Sequence, residues 1–192
     1  LPSLEILGLE MLDALLGAQD VCKYSGGSKT GCVSARQIKS VGAKYAIIGH
    51  SEKRAEGDTD DDIAEKLRRA QDAYLRTIVC VGEPQTKRKN AKRFVRDQLT
   101  KAFSKISAKD KKQKPFIIAY EPVWAIGKKR SATVSDIQTM VKHIESVMKD
   151  LKVQKFCILY GGSVNTTNAK RILSIGGVDG LLVGRASLSP RT

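Results

Sequence analysis

Six short apolar runs, separated by stretches of helical pattern, constrain the fold of this chain more than any other feature. Each run is too short for a core helix, and several are rich in Val and Ile, so we predict six buried strands. The runs are GAQDV (17–21), YAIIGH (45–50), RTIVCVG (76–82), PFIIAYE (115–121), KFCILYG (155–161) and DGLLVG (179–184).

Helix-forming stretches lie between these runs. Ser34 is placed to cap a helix over SARQIKSV, and TDDDIAEKLRRAQDAY opens with a Thr and acidic residues that suit a helix start. Ser135 is predicted to begin a helix across IQTMVKHIESVMKDL, and a shorter helix is predicted from Thr167 to Ile175. Alternating strands and helices predict parallel βαβ units, which six strands can arrange as either an open sheet or a barrel.

The longest of these helices carries one apolar stripe, which predicts its buried face. The stripe consists of Ile137, Met140, Val141, Ile144 and Met148. No low-complexity linker divides the 192 residues, so we predict a single domain over 1–192.

The net charge of +14 is concentrated in residues 87–114, which hold twelve Lys and Arg against two Asp. Phe94, Leu99, Phe103 and Ile106 recur there at roughly helical spacing, which predicts an amphipathic surface helix with a solvated basic face. Attraction to polyanions follows from such a charge. No nucleic-acid-binding module accompanies it, so we do not expect a nucleic acid as partner.

The cysteines and histidines favour neither a metal site nor a redox motif. Four Cys occur without a C-x-x-C pair, and the chain has two His. We therefore predict free thiols in a reducing cytoplasm and no metal. No apolar run reaches the roughly 20 residues that cross a bilayer, and no signal-peptide pattern is present, so we expect no membrane association. Because the first residue is Leu1, we expect the natural sequence to begin earlier.

Polar residues and glycines follow the predicted strands directly. In a parallel α/β protein the carboxyl ends of the strands are where active sites are built, which predicts an enzyme. Glu121 is then either a solvated strand end or a base in a dry pocket. The residues at these ends are His50, Ser51 and Glu52, then Gly82 and Glu83, then Glu121, then Gly161, Gly162 and Ser163, and finally Gly184.

Five strings in this order resemble the triosephosphate isomerase family, and the resemblance runs from about Gly17 to Leu188. They are YAIIGHSEKR, CVGE, AYEPVWAIG, YGGSVN and DGLLVGRASL. The resemblance implies a (β/α)8 TIM barrel, here incomplete, with strands three to eight present. It also implies interconversion of dihydroxyacetone phosphate and glyceraldehyde 3-phosphate through an enediol, in glycolysis and gluconeogenesis, with no cofactor.

The same resemblance implies the catalytic residues. Glu121 would take the carbon-bound proton, and His50 would polarise the carbonyl as a neutral imidazole at a helix start. Glu52 would orient the catalytic groups.

A phosphate site made largely of main-chain N–H groups is implied next. Gly161, Gly162 and Ser163 match the loop after the seventh strand of the family, and Gly127 matches the lid residue that closes onto phosphate. Gly184 and Arg185 match the loop after the eighth strand, where Arg185 replaces the commoner glycine.

Residues 122–132 resemble the lid of the family. Pro122, Val123 and Trp124 would form one hinge, and Ile126 with Leu182 would cover the base with apolar surface. At the second hinge Lys128, Lys129 and Arg130 replace smaller residues, which predicts a stiffer and more cationic hinge. Cys80 and Glu83 would be supporting residues, the alternatives being a packed thiol and a surface acid.

The first-strand N-W-K motif of the family has no match in residues 1–192, so strands one and two are expected to be absent and residues 1–15 to form the helix after strand two. We therefore expect this chain, taken alone, to be inactive or nearly so. The alternative is a non-catalytic barrel remnant whose basic surface binds other molecules.

The resemblance also implies a homodimer, with loop 22–31 inserted beside the active site of the partner. Thr30 matches the inserted tip of that loop, and Cys32 departs from the acidic residue that is common at its position.

Overall fold

The computed structural model describes residues 14–127 and 132–188, and each of the six predicted strands is present. The unusual hinge predicted at Lys128–Arg130, and nearly all of the helix predicted over 1–15, lie outside the described residues. The strands are β1 (Gly17–Ala18), β2 (Tyr45–Ile48), β3 (Arg76–Val81), β4 (Phe116–Tyr120), β5 (Phe156–Tyr160) and β6 (Gly180–Leu181).

Seven α-helices are present in the described part of the chain, with short 3₁₀ turns at 85–90, 103–105, 123–125 and 185–188. The helices are α1 (Ala35–Ser40), α2 (Ser51–Ala55), α3 (Asp60–Asp72), α4 (Ala91–Ala102), α5 (Ala108–Gln113), α6 (Val134–Asp150) and α7 (Ala169–Leu173).

The chain forms two compact units. The first comprises Leu1–Val79 with Lys101–Ile106, and the second comprises Cys80–Thr100 with Ser107–Thr192. In the first unit β1 pairs with β2 and β2 with β3; in the second, β4 pairs with β5 and β5 with β6. All of these pairs are parallel, as the alternation of strands and helices predicts. The expectation of a single domain over 1–192 stays a prediction.

Side-chain caps start the helices of the first unit. Ser34 accepts the N–H of Gln37 before α1, and Thr59 accepts the N–H of Asp62 before α3, each in a reciprocal capping box. Both starts agree with the sequence prediction. Helix α3 turns an apolar face inward that consists of Ile63, Ala64, Leu67 and Ala70.

A charged side chain is buried on the same helix. The Lys66 Nζ atom lies 2.9 Å from both carboxylate oxygens of Asp20 and 2.6 Å from Asp58 Oδ2, and Lys66 is 5% exposed. Removing an ion from water is costly, and opposite charges at hydrogen-bond distance offset that cost.

In the second unit α6 begins earlier than predicted. Its cap is Thr133, which accepts the Asp136 N–H in a capping box, so the expected start at Ser135 is wrong. Asp136 supplies the reciprocal acceptor of this capping box, because its carboxylate accepts the Thr133 N–H at 3.1 Å. The predicted stripe of Ile137 to Met148 is buried, and Val147 joins it.

The basic stretch is helical, as predicted. Along α4 the buried residues are Val95, Gln98, Leu99 and Ala102, whereas Phe94 is only half-buried. Many of its cations face solvent, and Lys87, Lys89, Lys92 and Arg93 are all exposed.

Four helices of the described residues end on a residue with positive φ, and after the short α2 this residue is Gly57 (φ +114°). After α1 this residue is Gly42 (φ +87°), but after α3 it is Tyr74 (φ +58°) and after α6 it is Lys152 (φ +62°). After both long helices, the residue that follows the positive-φ residue donates its N–H to a carbonyl oxygen of the last turn. The Leu75 N–H donates to Ala70 O, and the Val153 N–H donates to Met148 O, each at 3.0 Å.

All four cysteines are free thiols. Within residues 14–127 and 132–188 no group of three or more His, Cys, Asp and Glu is placed to hold a metal ion. A search of the same residues found no helix that is long and apolar enough to cross a membrane.

Candidate active site

Glu121 lies directly after β4 and is 2% exposed. Its N–H donates to the carbonyl oxygen of Val81 at 2.8 Å, and the Gly161 N–H donates to Tyr120 O on the other side, also at 2.8 Å. Strand-like pairing on both sides therefore holds the backbone of Glu121 at the carboxyl end of the sheet. A solvated strand end, one of the two interpretations of the sequence, is excluded.

Gly161 packs against the side chain of Glu121. A Cβ atom at Gly161 would lie 3.0 Å from Glu121 Cγ, 3.5 Å from Glu121 Oε1 and 3.4 Å from Leu182 Cβ. The Leu182 N–H also donates to Tyr160 O at 2.9 Å. The structure thus brings together three of the residues selected from the sequence, because a glycine lets the loop after β5 approach the carboxylate.

Gly82 makes an even closer approach to Glu121, through the backbone. A Cβ atom there would lie 1.7 Å from the carbonyl oxygen of Glu121, so only glycine fits. The Gly82 N–H donates to Oε1 of the buried Gln98 at 2.9 Å. Sequence analysis did not single out Gln98, since one amide on a helix carries no pattern that points to a strand end.

Glu83 is buried, so the alternative of a surface acid is wrong. Its Oε1 atom accepts from Trp124 Nε1 at 2.7 Å, and the Tyr120 hydroxyl lies 3.2 and 3.3 Å from the two carboxylate oxygens. Burial, and next to it the negative charge of Glu83, raise the pKa of Tyr120, which keeps the phenol protonated. Glu83 thus anchors the tryptophan of the predicted lid. Cys80, the other predicted supporting residue, is fully buried.

The first part of the predicted lid is ordered around these contacts. Pro122 is buried, Trp124 and Ile126 are half-buried, and Val123–Ala125 form a 3₁₀ turn. The Ser163 hydroxyl donates to the carbonyl oxygen of Ala125 at 2.7 Å, which ties the turn to the loop after β5.

A cation covers the outer face of the tryptophan. The Arg88 guanidinium lies 4.0 Å from the centre of the Trp124 ring, and its Nη2 is 3.6 Å from Asp136 Oδ1. Cation–π contact at this distance stabilises the ring position by roughly 0.5–1 kcal/mol where solvent has access.

The residues predicted to bind phosphate occupy loops at the same edge of the second unit. Gly127 has φ +67°, a left-handed conformation that favours glycine, and Gly184 has open space around its Cα. A Cβ at Gly162 would lie 2.2 Å from the Tyr160 hydroxyl oxygen. Burial raises the pKa of Tyr160 to about 12.

Two further contacts concern these loops. The Asn168 side-chain amide donates to Ser163 O at 2.8 Å and thereby holds the loop after β5. The Arg185 guanidinium nitrogen Nη2 lies 3.0 Å from the position that a Cβ at Gly127 would take. Sequence analysis did not identify Asn168, which only the folded loop brings next to Ser163.

His50 and Glu52 belong to the first unit. His50 is the N-cap residue of α2, and its Nδ1 accepts the Glu52 N–H at 3.3 Å. An Nδ1 atom that accepts a hydrogen bond places the proton of a neutral imidazole on Nε2. The Glu52 carboxylate is 84% exposed and its Oε2 lies 3.8 Å from Nδ1.

The predicted dimer loop is open to solvent. Residues 24–31 are exposed, while Cys22 at its base is buried and its N–H donates to Val33 O at 3.0 Å. Dimerisation through this loop stays a prediction.

Comparison with known proteins identifies the family. Residues 6–192 match the family model described as triosephosphate isomerase. The triosephosphate isomerase of Thermus thermophilus is 41% identical over 179 residues, which cover 90% of this chain and 71% of the relative.

Two further relatives agree. The triosephosphate isomerase of Thermoanaerobacter pseudethanolicus is 39% identical over 181 residues, covering 91% of this chain and 72% of the relative. That of Ruthia magnifica subsp. Calyptogena magnifica is 39% identical over 197 residues, covering 97% and 79%. With the parallel strand pairs, these matches confirm the predicted resemblance and the class of an incomplete (β/α) barrel. The chain belongs to the triosephosphate isomerase family.

Proposed function

We propose that this chain carries the catalytic base and phosphate loops of an isomerase that interconverts dihydroxyacetone phosphate and glyceraldehyde 3-phosphate. The relatives that cover most of the chain bear the name of this enzyme. The observation that carries the proposal for the site is the burial of Glu121 at a strand end, against Gly161 and beside Leu182. Such surroundings exclude water from the carboxylate and favour its action as a base.

The reaction moves one proton between adjacent carbons. Glu121 takes the proton from the carbon beside the carbonyl, and the electron pair of that C–H bond forms the double bond of an enediol. The Nε2–H of a neutral His50 donates a hydrogen bond to the oxygen on which negative charge develops. A proton passes from the hydroxyl oxygen on the first carbon to the former carbonyl oxygen, and return of the carbon-bound proton to the neighbouring carbon completes the exchange of aldehyde and ketone, so that no atom is gained or lost.

The lid residues exclude water from that proton. Trp124 is fixed from one side by the Glu83 carboxylate and from the other by the Arg88 guanidinium. Ile126 and Leu182 are proposed to supply the apolar cover, and Glu52 to orient His50. Gly127, Ser163 and the loops at 161–162 and 184–185 are proposed to hold the phosphate.

Proton exchange at carbon tests this function more sensitively than net turnover. Dihydroxyacetone phosphate is incubated with the chain in D₂O, and the loss of the carbon-bound proton is followed by NMR. Glu121→Gln is expected to lower the exchange rate at least about a thousandfold, since the base is removed. Glu145→Gln, on α6 of the same unit, is the matched control and should leave the rate unchanged. A rate above the uncatalysed background that is equal in the wild type and Glu121→Gln would rule out Glu121 as the base.

We also propose that the chain forms a homodimer and that it is located in the cytoplasm. The exposed loop at 24–31 and the free thiols support these two proposals. Sedimentation at several concentrations gives the oligomeric state, and shortening the loop should shift the equilibrium to the monomer. A wild type that sediments as a monomer at high concentration would contradict the dimer.

A non-catalytic binding role is the second candidate, because the exposed cations of 87–114 give the chain a basic surface. Retention on heparin that falls steeply with salt, together with no proton exchange at carbon, would favour this role.

A further inference from the structure

The side chain of Arg185 covers one face of the lid residue Gly127. Its Nη2 lies 3.0 Å, and its Cζ 4.0 Å, from the position that a Cβ at Gly127 would take. A larger residue at 127 would therefore displace the guanidinium as well as strain the backbone, which has φ +67°.

Three loops of the second unit are joined by contacts, one of which is made by this guanidinium. Ser163 Oγ donates to Ala125 O at 2.7 Å, which joins the loop after β5 to the lid. Gly161 packs on Leu182, which joins the loop after β5 to the loop after β6. Arg185 closes the set through its contact with Gly127.

The exposed Arg185 side chain places its charge beside the lid glycine Gly127. Among the ion pairs of the described residues, none pairs Arg185 with a carboxylate, although Arg88 and Arg96 of the same unit each have one. A planar guanidinium presents a fork of N–H donors that matches two oxygens of a phosphate group.

We propose that the Arg185 guanidinium binds the phosphate group of the substrate directly, across the face of Gly127, in addition to any main-chain N–H groups of the loops. The proposal rests on the proposed function and adds to it a side-chain cation as a determinant of affinity. It predicts that anion binding depends on the charge and on the fork geometry at position 185.

Titration calorimetry with inorganic phosphate tests this without any need for turnover. Arg185→Gln is expected to raise the Kd about ten- to a hundredfold, the loss typical of a charge-assisted hydrogen bond. Arg185→Lys should recover part of the affinity, because it keeps the charge but loses the fork. Arg171→Gln, an exposed arginine on α7, is the matched control and should bind as the wild type does.

The outcomes separate this proposal from the function on which it rests. Equal Kd values in the wild type and Arg185→Gln, with proton exchange at carbon intact, would overturn the role of Arg185 alone. Absence of both phosphate binding and proton exchange in the wild type would overturn the function, and the role of Arg185 with it. Circular dichroism and Trp124 fluorescence confirm that each variant is folded.

A second and independent feature is a pair of thiols at the base of the exposed loop. Cys22 and Cys32 line the same cavity of about 190 Å³, with Gly26, Gly27 and Lys29 between them in sequence. The hydrogen bond from the Cys22 N–H to Val33 O holds the two ends of the loop together. A hydrogen bond with the Cys22 thiol raises the pKa of the exposed Cys32.

We infer that Cys22 and Cys32 form a reversible intramolecular disulfide when a low-molecular-weight disulfide is supplied. The exposed Cys32 thiolate attacks that disulfide and releases one thiol, and Cys22 then attacks the mixed disulfide and releases the second. Two protein thiols are oxidised, and one small disulfide is reduced to two thiols.

Incubation with oxidised glutathione and intact-mass spectrometry test this inference. The expected product has lost two hydrogen atoms and yields one peptide pair joined through Cys22 and Cys32. Its formation should accelerate as pH rises, because the raised pKa of Cys32 limits the thiolate. Cys22→Ser should stop at the mixed disulfide, and Cys157→Ser should behave as the wild type does. A wild type that accumulates only the mixed disulfide would overturn the inference.

Discussion

The two units bury charge in different surroundings. In the first, Lys66 is enclosed by the carboxylates of Asp20 and Asp58 at hydrogen-bond distance. In the second, Glu83 accepts from the neutral donors Trp124 and Tyr120, and Glu121 packs on glycine. A buried charge enclosed by opposite charges serves the stability of the fold. The Glu83 carboxylate is held instead by neutral donors, and glycines let neighbouring backbone approach Glu121 closely.

The largest expected effect is the loss of stability when the ion pairs of Lys66 with Asp20 and Asp58 in the first unit are removed. Lys66→Met removes the buried cation that the half-buried Asp20 and Asp58 share and should lower the free energy of unfolding by about 3 kcal/mol or more. Lys101→Met is the control, because Lys101 pairs with the exposed Asp61 at the surface and does not touch Asp20 or Asp58, so it should cost less than about 1 kcal/mol. Urea unfolding measures both, and equal losses would mean that burial does not distinguish the two lysines.

In the second unit, the substitution expected to lower stability most is Gly82→Ala. The new methyl group would collide with the carbonyl oxygen of Glu121, and the backbone must move, at a cost of about 3 kcal/mol. Gly176→Ala is the matched control, since that position has open space and no positive φ, and it should change stability by less than about 0.5 kcal/mol. A Gly82→Ala variant as stable as the wild type would contradict the close approach of the two backbones.

A smaller effect is expected from Glu83→Gln. A neutral amide accepts more weakly from Trp124 and Tyr120 than a carboxylate does, so the variant should lose about 1 kcal/mol. Trp124 is the single tryptophan of the sequence, so its fluorescence reports the contact directly. We expect a shifted emission maximum in Glu83→Gln and none in Glu145→Gln, and an unchanged spectrum in both would argue against the hydrogen bond.

The smallest expected effect is a pH dependence of the stability that Glu65 contributes to the first unit. A hydrogen bond from Arg68 lowers the pKa of Glu65 from 4.5 to about 2. This contribution to stability is fully present above pH 4.5 and is lost as pH falls toward 2. Glu65→Gln should therefore be less stable than the wild type at pH 6, with the difference shrinking by pH 3. A difference that is independent of pH would exclude the carboxylate charge as its source.

The sequence predicted the strands, the helices and the family, because local periodicity and ordered motifs determine these directly. The error at the start of α6 was local: Ser135 was chosen as the first residue by its type alone, and the cap is Thr133, two residues earlier, in a capping box with Asp136. The sequence also left open whether Glu83 was a surface acid, since burial depends on partners 37 and 41 residues away.

Other site contacts lay beyond any sequence pattern. Gln98 reaches Gly82 from a helix whose apolar stripe gave no indication of a buried amide. The contact between Arg185 and Gly127 joins two loops that are far apart in the chain. Periodicity reports which face of an element is buried, and it carries no information about which distant polar atom that face will meet.

The ends of the two long helices have a consequence for where the site residues stand. Tyr74 and Lys152 hold left-handed conformations that cost most side chains roughly 1 kcal/mol, and the buried Leu75 and Val153 follow them at once. Burial of the apolar residue after the turn, and not a glycine, therefore determines where α3 and α6 end. Because β3 begins at Arg76, directly after Leu75, the end of α3 also determines how many residues separate the turn from Glu83. A one-residue insertion at either turn would shift a strand end, and with it Glu83 or Gly161, so the geometry of the site is set partly at the opposite ends of its strands.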